Sequence, residues 1–299
     1  MQNSGDIVLG ASGDESLAGR FLDEQDYSPH TRRAFQSDLN NFIRWFREAN
    51  RESFKVTRVT TGDIITFRDT LRREQGLSVS TVNRSLVALR SFFNWLVEGD
   101  HIATNPTKKV KELRRQQLSP KGLERSQVRK LLREVELRGD HRANAIFHVF
   151  LFTGCRVGDL VHINLSDLTI EERSGKITFR NGKANKERTV PLPLFARQAV
   201  NNYLTVRPES ESKNLFCGQR GPLTDRGVRD LCNRYSDICG FKIHPHLLRH
   251  TMAKKFLEDS GNDLVSLAQI LGHESLNTTA RYTKRGEDQL AAAADKMTY

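Results

Sequence analysis

Cysteine and long apolar runs are scarce in this chain of 299 residues, and each shortage excludes a class of protein. The four cysteines have no CxxC spacing, which argues against a zinc module and a disulfide framework, and we expect them to be small buried residues. No apolar run approaches the roughly 20 residues of a membrane-spanning helix. Met1 to Ser16 has neither the basic start nor the apolar core of a secretory signal. We therefore expect a cytoplasmic protein without a membrane partner.

Acidic residues are also in deficit, with 36 aspartates and glutamates against 47 lysines and arginines and a formal net charge of +11. An excess of this size favours a polyanionic partner, most simply nucleic acid, although basic surfaces also occur on membrane-associated and merely soluble proteins. The length suggests two domains of ordinary size, each able to bury a core.

The first part of the chain is predicted to be helical. Residues 1–14 are rich in Gly, Ser and Asp without apolar periodicity, and we expect a flexible tail there. From 15 to 103, apolar residues recur at three- and four-residue spacing, Ser28 is placed to cap a long helix, and Thr60 begins a capping box. A further helix is predicted from near Ser80. The aromatic stripes on these helices are expected to form a core.

Basic side chains are expected on the faces of these helices that point away from the core. A helical module that rests against a phosphate backbone needs such residues, so they are candidates for DNA contact. The candidates on the helices are Arg32, Arg33, Arg84 and Arg90.

Residues 104–123 are predicted to form a basic linker between two domains. The segment begins with an Asn-Pro pair, contains Pro120 and Gly122, and has one acid, Glu112, among its basic residues. A charge run is often just a solvated segment, but between two domains of a basic chain it is equally suited to follow DNA phosphates. Its candidate contacts are Lys108, Lys109 and Lys111.

The second domain, predicted over residues 124–299, combines helices with a short run of strands. The apolar stretch from Ala143 to Phe152 is typical of a buried helix that ends at Thr153-Gly154. Between Leu168 and Pro191 the pattern changes to strands joined by tight turns, and Asn181-Gly182 is a strong hairpin signal. The predicted fold class is therefore mainly α with a small antiparallel β-sheet.

The last part of the chain contains most of the candidate chemistry. Pro245 suits a first helical position, so His246 and Arg249 fall at i and i+3 on one helix face. A helix-stop glycine precedes His273, and Tyr282 follows nine residues later. Arginine offers phosphate oxygens a rigid fork of donors, histidine adds donors or moves a proton, and tyrosine is an oxygen nucleophile. Together they predict phosphoryl transfer, although any one of them alone is more often structural.

Two residues outside that stretch are further candidates. Arg156 emerges from the end of the predicted buried helix with Asp159 one turn further on, an arrangement that is often only a structural ion pair. Lys183 lies at the predicted hairpin tip, where a lysine is ordinarily solvated but is also able to reach into a pocket and deliver a proton. We expect no metal at His246 and His250, because the HExxH glutamate is missing and the arginine between them would repel a cation.

Taken together, these segments resemble the active-site boxes of the tyrosine recombinases, the phage-integrase-like group that includes the Xer proteins. The matching segments are TGCRVGDL, GKANKERTVPL, HLLRH and LGHESLNTTARYT, in this order. The resemblance covers essentially the whole chain, and it implies a SAM-like core-binding domain followed by a catalytic domain, together a C-shaped clamp on double-stranded DNA. It also implies a homotetramer on DNA, or a heterotetramer with a related recombinase, and no cofactor or metal.

The resemblance assigns a role to each candidate. The two arginines would hold the scissile phosphate, the lysine would protonate the leaving 5′ oxygen, the first histidine would assist proton transfer, and the second would contact the phosphate. The tyrosine would be the nucleophile and form a 3′-phosphotyrosyl bond. The six positions are Arg156, Lys183, His246, Arg249, His273 and Tyr282.

Two features of the sequence qualify this interpretation. Asp159 stands where the family usually has Glu, whose side chain is one methylene longer. The resemblance implies that the carboxylate at this position braces the arginine or the histidine. The residues after Tyr282 include the run Ala291 to Ala294, which is expected to form an exchanged helix that docks in a neighbouring protomer.

Several functions stay open at this point. Dimer or cointegrate resolution and integration of a mobile element are the candidate tasks of a recombinase. The alternatives are a type IB topoisomerase-like relaxase, a non-catalytic DNA-binding regulator, and a phosphotransferase unrelated to nucleic acid, which the lack of a Gly-rich phosphate loop disfavours.

Overall fold

The helical pattern at the start of the chain and the mixed pattern that follows form two separate units, residues 1–116 and 117–299. The computed structural model describes residues 13–114, 120–180, 187–218, 221–273, 275–280 and 282–283. It confirms the predicted fold class, which is mainly helical with small antiparallel sheets. Within these ranges no helix is long and apolar enough to cross a bilayer. The predicted exchange helix and the first twelve residues of the predicted tail lie outside the described residues.

The first unit is built from four helices in its described part, with one 3₁₀ turn and one π-helical turn. Their bounds are α1 Ser16–Glu24, α2 Pro29–Asn50, the 3₁₀ turn Val56–Arg58, α3 Thr61–Asp69, the π turn Thr70–Glu74 and α4 Val79–Glu98. The predicted caps are confirmed, since the Ser28 hydroxyl accepts from the Thr31 amide and Thr60 forms a reciprocal box with Asp63. Ser78 caps α4, two residues before the predicted start.

Aromatic rings fill the core of the first unit, as the stripes predict. Phe42 lies at its centre and contacts five other rings, those of Trp45, Phe46, Phe54, Phe67 and Phe93. Most of these pairs are tilted or edge-to-face, the arrangement that ring quadrupoles favour. The helices are therefore held by one continuous apolar cluster that leaves their outer faces to polar residues.

The predicted linker is divided between the two units. Val110 is buried in the core of the first unit, and the Asn83 side chain makes two 2.9 Å hydrogen bonds with the Leu113 backbone. At the other end, the Leu123 amide donates to Thr251 Oγ1 at 2.8 Å, and a Cβ on Gly122 would lie 2.9 Å from the Thr251 Cα. Residues 114–121 separate the two anchored ends, and 115–119 among them lie outside the described residues.

The second unit contains the remaining helices and all the described strands. Its helices are α5 Arg125–Leu137, α6 His141–Thr153, α7 Val157–Val161, α8 Leu194–Leu204, α9 Asp225–Cys239, α10 Pro245–Asp259, α11 Leu264–Leu271 and α12 Leu276–Ala280, with a 3₁₀ turn at Leu165–Asp167. The strands are β1 Leu168–Ile170, β2 Gly175–Phe179, β3 Arg188–Pro191, β4 Cys217–Gly218 and β5 Gly221–Pro222.

The predicted strands form an antiparallel sheet in the order β1-β2-β3. Ile177 in the central strand pairs with Leu168 on one side and Val190 on the other, so the apolar residues of all three strands share the face that is packed on the core. The predicted hairpin turn joins β2 to β3 within residues 181–186, outside the described residues.

Helix α6 is the centre of the second unit. Its apolar residues from Ala143 to Phe150 are fully buried, as expected of a helix that is hydrophobic all round. It ends at Gly154, which has φ +58°, and a Cβ there would approach the Leu271 side chain to 2.7 Å. Glycine is therefore required where the end of α6 passes under α11, just before Arg156.

All four cysteines are buried and unpaired, as predicted. Burial raises the pKa of the Cys155 thiol to about 12, and it raises that of Cys232 to about 12 as well. These thiols are packing residues and carry very little thiolate at neutral pH.

Candidate active site

Helix α10 carries the central arginine of the site. The helix begins at Pro245, as predicted, and the Nδ1 atom of His244 accepts a hydrogen bond from the Leu247 amide to cap it. Arg249 is only 5% exposed. Its guanidinium donates to the carbonyls of Gly154 at 2.5 Å and Leu271 at 3.0 Å. These carbonyls lie at the C-terminal ends of α6 and α11, where the last carbonyls of a helix have no amide partner within the helix.

The electrostatics of Arg249 indicate an anion site. Burial and the nearby charge of Arg156 together lower the pKa of its guanidinium to about 10, and the Tyr282 oxygen opposes both effects. It is therefore still charged at neutral pH. Within the described part of the chain, neither Arg156 nor Arg249 forms an ion pair with a carboxylate. An anion that binds between two neighbouring guanidiniums offsets their mutual repulsion.

Asp159 contacts the backbone of Arg156, which it was expected to brace, and the side chain of a second arginine that was not expected. Its Oδ2 atom accepts from the Arg156 backbone amide at 3.1 Å, which caps α7, and from the Arg188 guanidinium at 2.5 Å. The carboxylate is buried, with 5% of the side chain exposed. It braces the backbone of Arg156 and the side chain of Arg188, a residue that the sequence pattern indicated only as part of a strand.

Arg188 joins three elements of the second unit. From β3 it reaches Asp159 in α7, its Nε atom donates to the Ile270 carbonyl of α11 at 3.2 Å, and its guanidinium carbon lies 4.5 Å from the centre of the Phe179 ring. Gly272 has φ +64°, and a Cβ there would lie 2.9 Å from Arg188 Cδ. The helix stop before His273 is therefore also a point of close approach to Arg188.

His273 is held from both ring nitrogens. Its Nε2 atom lies 2.9 Å from the Arg249 guanidinium and its Nδ1 atom 2.8 Å from the hydroxyl of Thr279, which is fully buried. A guanidinium only donates, so Nε2 is the acceptor and Nδ1 carries the proton. In this arrangement His273 is a neutral imidazole aimed at the same arginine that would hold a phosphate.

Tyr282 lies against α10, and its hydroxyl meets a histidine. The hydroxyl is 2.8 Å from His250 Nδ1, and the two rings are 5.5 Å apart at an interplanar angle of 57°. The tyrosine ring also packs against the small apolar cluster formed by α10 and α11. From the sequence, His250 was considered only as a metal ligand, although its place next to Arg249 was a signal that it belongs to the site.

The other two candidates are less fully placed. His246 lies in the first turn of α10 and is exposed, one helical turn before His250. Lys183 lies outside the described residues, but Phe179 and Arg188, at the base of its hairpin, are paired and lie beside the site. No group of three or more potential metal ligands occurs among the residues that the structure describes.

The basic candidates of the first unit fall into two classes. Arg84 forms a bidentate ion pair with the buried Asp38, at 2.8 and 2.9 Å. Arg32 pairs with Asp23, and Arg90 pairs with Glu112 at 3.3 Å. The remaining arginine, Arg33, is exposed and donates to a carbonyl of its own helix, and the exposed lysines are Lys108, Lys109 and Lys111. The paired arginines thus have structural partners that the sequence did not reveal.

Comparison with protein families matches both units. Residues 121–288 match the model of the phage integrase family, and residues 20–99 match the phage integrase N-terminal SAM-like domain. The relative named Tyrosine recombinase XerC from Listeria innocua serovar 6a is 33% identical over 290 residues, 92% of this chain and 94% of its own length. The protein of that name from Thermodesulfovibrio yellowstonii is 35% identical and covers 90% of each chain.

A solved structure shares the fold. The crystal structure of the XerH site-specific recombinase in a post-cleavage complex with a palindromic difH substrate superposes with a TM-score of 0.77. It is 20% identical in sequence, and the match covers 96% of this chain and 85% of the other.

Proposed function

The chain belongs to the phage integrase family and is a site-specific recombinase that acts on DNA, and from this premise we propose that it cuts one DNA strand at a time through a covalent bond to Tyr282. The observation that carries the proposal is the position of Arg249, which lies close to both Arg156 and Tyr282, while neither arginine has an acidic partner among the described residues. A phosphodiester supplies the anion that such a pair of arginines lacks.

The proposed reaction is a pair of transesterifications. The Tyr282 oxygen attacks the scissile phosphorus, the bond to the 5′ oxygen breaks, and a 3′-phosphotyrosyl bond forms. A 5′-hydroxyl from another strand then attacks the same phosphorus and releases the tyrosine. The two guanidiniums stabilise the extra negative charge of the five-coordinate phosphorus, the charge that develops only in the transition state.

The remaining residues are proposed to position groups and move protons. Lys183 protonates the leaving 5′ oxygen, His246 assists that transfer, and His273 contacts a phosphate oxygen beside Arg249. The contact of His273 Nε2 with Arg249 supports the last role, because it places that nitrogen beside the guanidinium proposed to bind the phosphate. When a phosphate oxygen replaces the imidazole on the arginine, Nε2 must carry a proton in order to donate to that oxygen.

The first unit is proposed to bind the DNA that the second unit cuts. The exposed lysines of the segment after α4 are the strongest candidates for phosphate contacts, since they are solvated and have no acid within the described residues. We propose a homotetramer on DNA, or a heterotetramer with a related recombinase, joined by the residues after Tyr282. The proposed tasks are dimer or cointegrate resolution, or integration of a mobile element.

A nicked suicide duplex tests the nucleophile. A site selected from the protein's own flanking or genomic DNA, nicked beside the scissile phosphate, is incubated in EDTA with wild type and with Tyr282→Phe, and the products are separated on a denaturing gel. We expect a covalent adduct from wild type and none from the variant. Tyr27→Phe, a change in the first unit, is the matched control and should leave the adduct intact. An adduct that persists in Tyr282→Phe would overturn the assignment.

A further inference from the structure

The hydroxyl of Tyr282 has a defined partner that none of the six predicted positions includes. His250 Nδ1 lies 2.8 Å from it, within the range of a good hydrogen bond. The two rings also contact each other, with their centres 5.5 Å apart. The histidine thus fixes both the direction of the hydroxyl and the position of the ring.

The backbone of α10 links this contact to the phosphate pocket. His250 directly follows Arg249, whose side chain is tied to the ends of α6 and α11. Tyr282 is anchored separately, since its amide donates to the Thr279 carbonyl at 3.0 Å and Thr279 in turn holds His273. His250 therefore holds the tyrosine oxygen beside α10. The adjacent residue of this helix, Arg249, is proposed to bind the scissile phosphate.

The chemistry of cleavage requires a proton acceptor at this position. A phenol keeps its proton at neutral pH and is a weak nucleophile until the proton leaves. The two arginines only donate, and Nε2 of His273 already accepts from Arg249. Nδ1 of His250 is an imidazole nitrogen within hydrogen-bonding distance of the proton, which is the geometric requirement for a general base.

We propose that His250 orients the Tyr282 hydroxyl and takes its proton as the oxygen attacks the phosphorus, an inference that rests on the proposed function. The phenol O–H bond breaks and its proton passes to Nδ1, which forms an imidazolium. The oxygen electron pair forms the bond to phosphorus, and the 5′ oxygen leaves with a proton from the general acid. On rejoining, the attacking 5′-hydroxyl gives its proton back to the general acid, and Nδ1 returns the proton to the departing tyrosine oxygen.

Substitution of His250 separates proton transfer from positioning. In His250→Asn the amide oxygen can take the place of Nδ1 and accept the hydrogen bond, but it cannot accept the proton. We expect its single-turnover rate of adduct formation on the nicked duplex to fall about 100-fold or more, with DNA affinity unchanged. His250→Ala should be at least as slow and should be partly rescued by added imidazole. His162→Asn, a change at an exposed histidine of the same unit, is the matched control and should react as wild type.

Each other outcome overturns the inference. Adduct formation by His250→Asn within about 3-fold of wild type would exclude proton transfer to His250. If His250→Ala forms the adduct faster than wild type, the contact restrains the nucleophile and does not activate it. If His250→Ala forms the adduct slowly and added imidazole does not restore the rate, the loss is due to packing. Should the asparagine variant fail to bind DNA, His250→Gln is measured in its place. No adduct from wild type would overturn the proposed function as well, whereas a Tyr282-dependent adduct with an unaffected His250→Asn overturns this inference alone.

Discussion

Three arginines of the first unit and two in the pocket of the second unit are held in opposite ways. In the first unit Arg32, Arg84 and Arg90 each pair with an acid, and in the pocket of the second unit Arg156 and Arg249 have none among the described residues. An arginine that is paired with an acid stabilises its own domain, whereas a buried arginine with only carbonyl and imidazole partners keeps its charge for an incoming anion. The ion-pair and hydrogen-bond partners of an arginine therefore indicate its availability to an anion better than its exposed fraction does.

The largest expected effect is at Arg249. In Arg249→Lys a single ammonium cannot reach Gly154, Leu271 and the phosphate at once, so adduct formation should fall on the order of 1000-fold. The measurement is single-turnover cleavage of the nicked duplex. Arg226→Lys on the exposed face of α9 is the control and should retain the wild-type rate. Near-normal cleavage by Arg249→Lys would remove the distinction between the two classes of arginine.

The next effect is at Arg188, the paired arginine beside the pocket. Among the described residues, Arg188→Met leaves the buried Asp159 with only the Arg156 amide, so the free energy of unfolding should fall by about 3 kcal/mol. Urea denaturation of the full chain, followed by a probe in the second unit, measures this. Arg197→Met removes hydrogen bonds to two carbonyls but no ion pair within the described part of the chain, so it should lower the free energy of unfolding by less. An equal cost for the two changes would contradict the bracing role of Arg188.

Two changes in the first unit sharpen the comparison further. The first is the joint replacement by Gln of Lys108, Lys109 and Lys111. It should lower DNA affinity about 10-fold and reduce the slope of log K against log salt by about 2 to 3, with stability unchanged.

The second is Arg84→Gln, which should instead lower stability, because it removes a bidentate partner of the buried Asp38. It should leave the salt slope nearly unchanged. Binding titrations over a salt series and denaturation curves test both, and a reversed pattern would assign the phosphate contacts to Arg84.

The smallest expected effect is at Gly272. Gly272→Ala places a Cβ at a φ of +64° and 2.9 Å from Arg188 Cδ, so it should destabilise the second unit by about 1 kcal/mol or somewhat more. Gly139→Ala, which has a similar φ of +59° and open space around it, isolates the backbone contribution. The difference between the two melting curves measures the contact with Arg188, and no difference would show that the arginine moves aside.

Local structure was predictable from the sequence because its causes lie within a few residues. Ser28, Thr60 and Pro245 mark helix starts through caps that act over three residues, and alternation over residues 168–191 predicted the sheet. The positions of the pocket residues along the chain were also visible, since the order of the motifs identified the family.

The partners of those residues were not predictable, because they lie far apart in the chain. Arg249 meets Gly154 across 95 residues, Arg188 meets Ile270 across 82, and Arg84 meets Asp38 across 46. Which acid an arginine finds depends on how whole helices pack, and spacing along one helix says nothing about it. For the same reason the ion pair of Asp159 with Arg188 was not predicted.

The burial of all four cysteines has a practical consequence for following this enzyme on DNA. A thiol with a pKa near 12, such as that of Cys155, reacts very slowly with a maleimide, so a cysteine introduced at an exposed position is labelled selectively without removing the native ones. Lys108→Cys would place a fluorophore beside the predicted DNA contacts, and quenching or energy transfer to a labelled duplex would then record docking separately from strand cleavage.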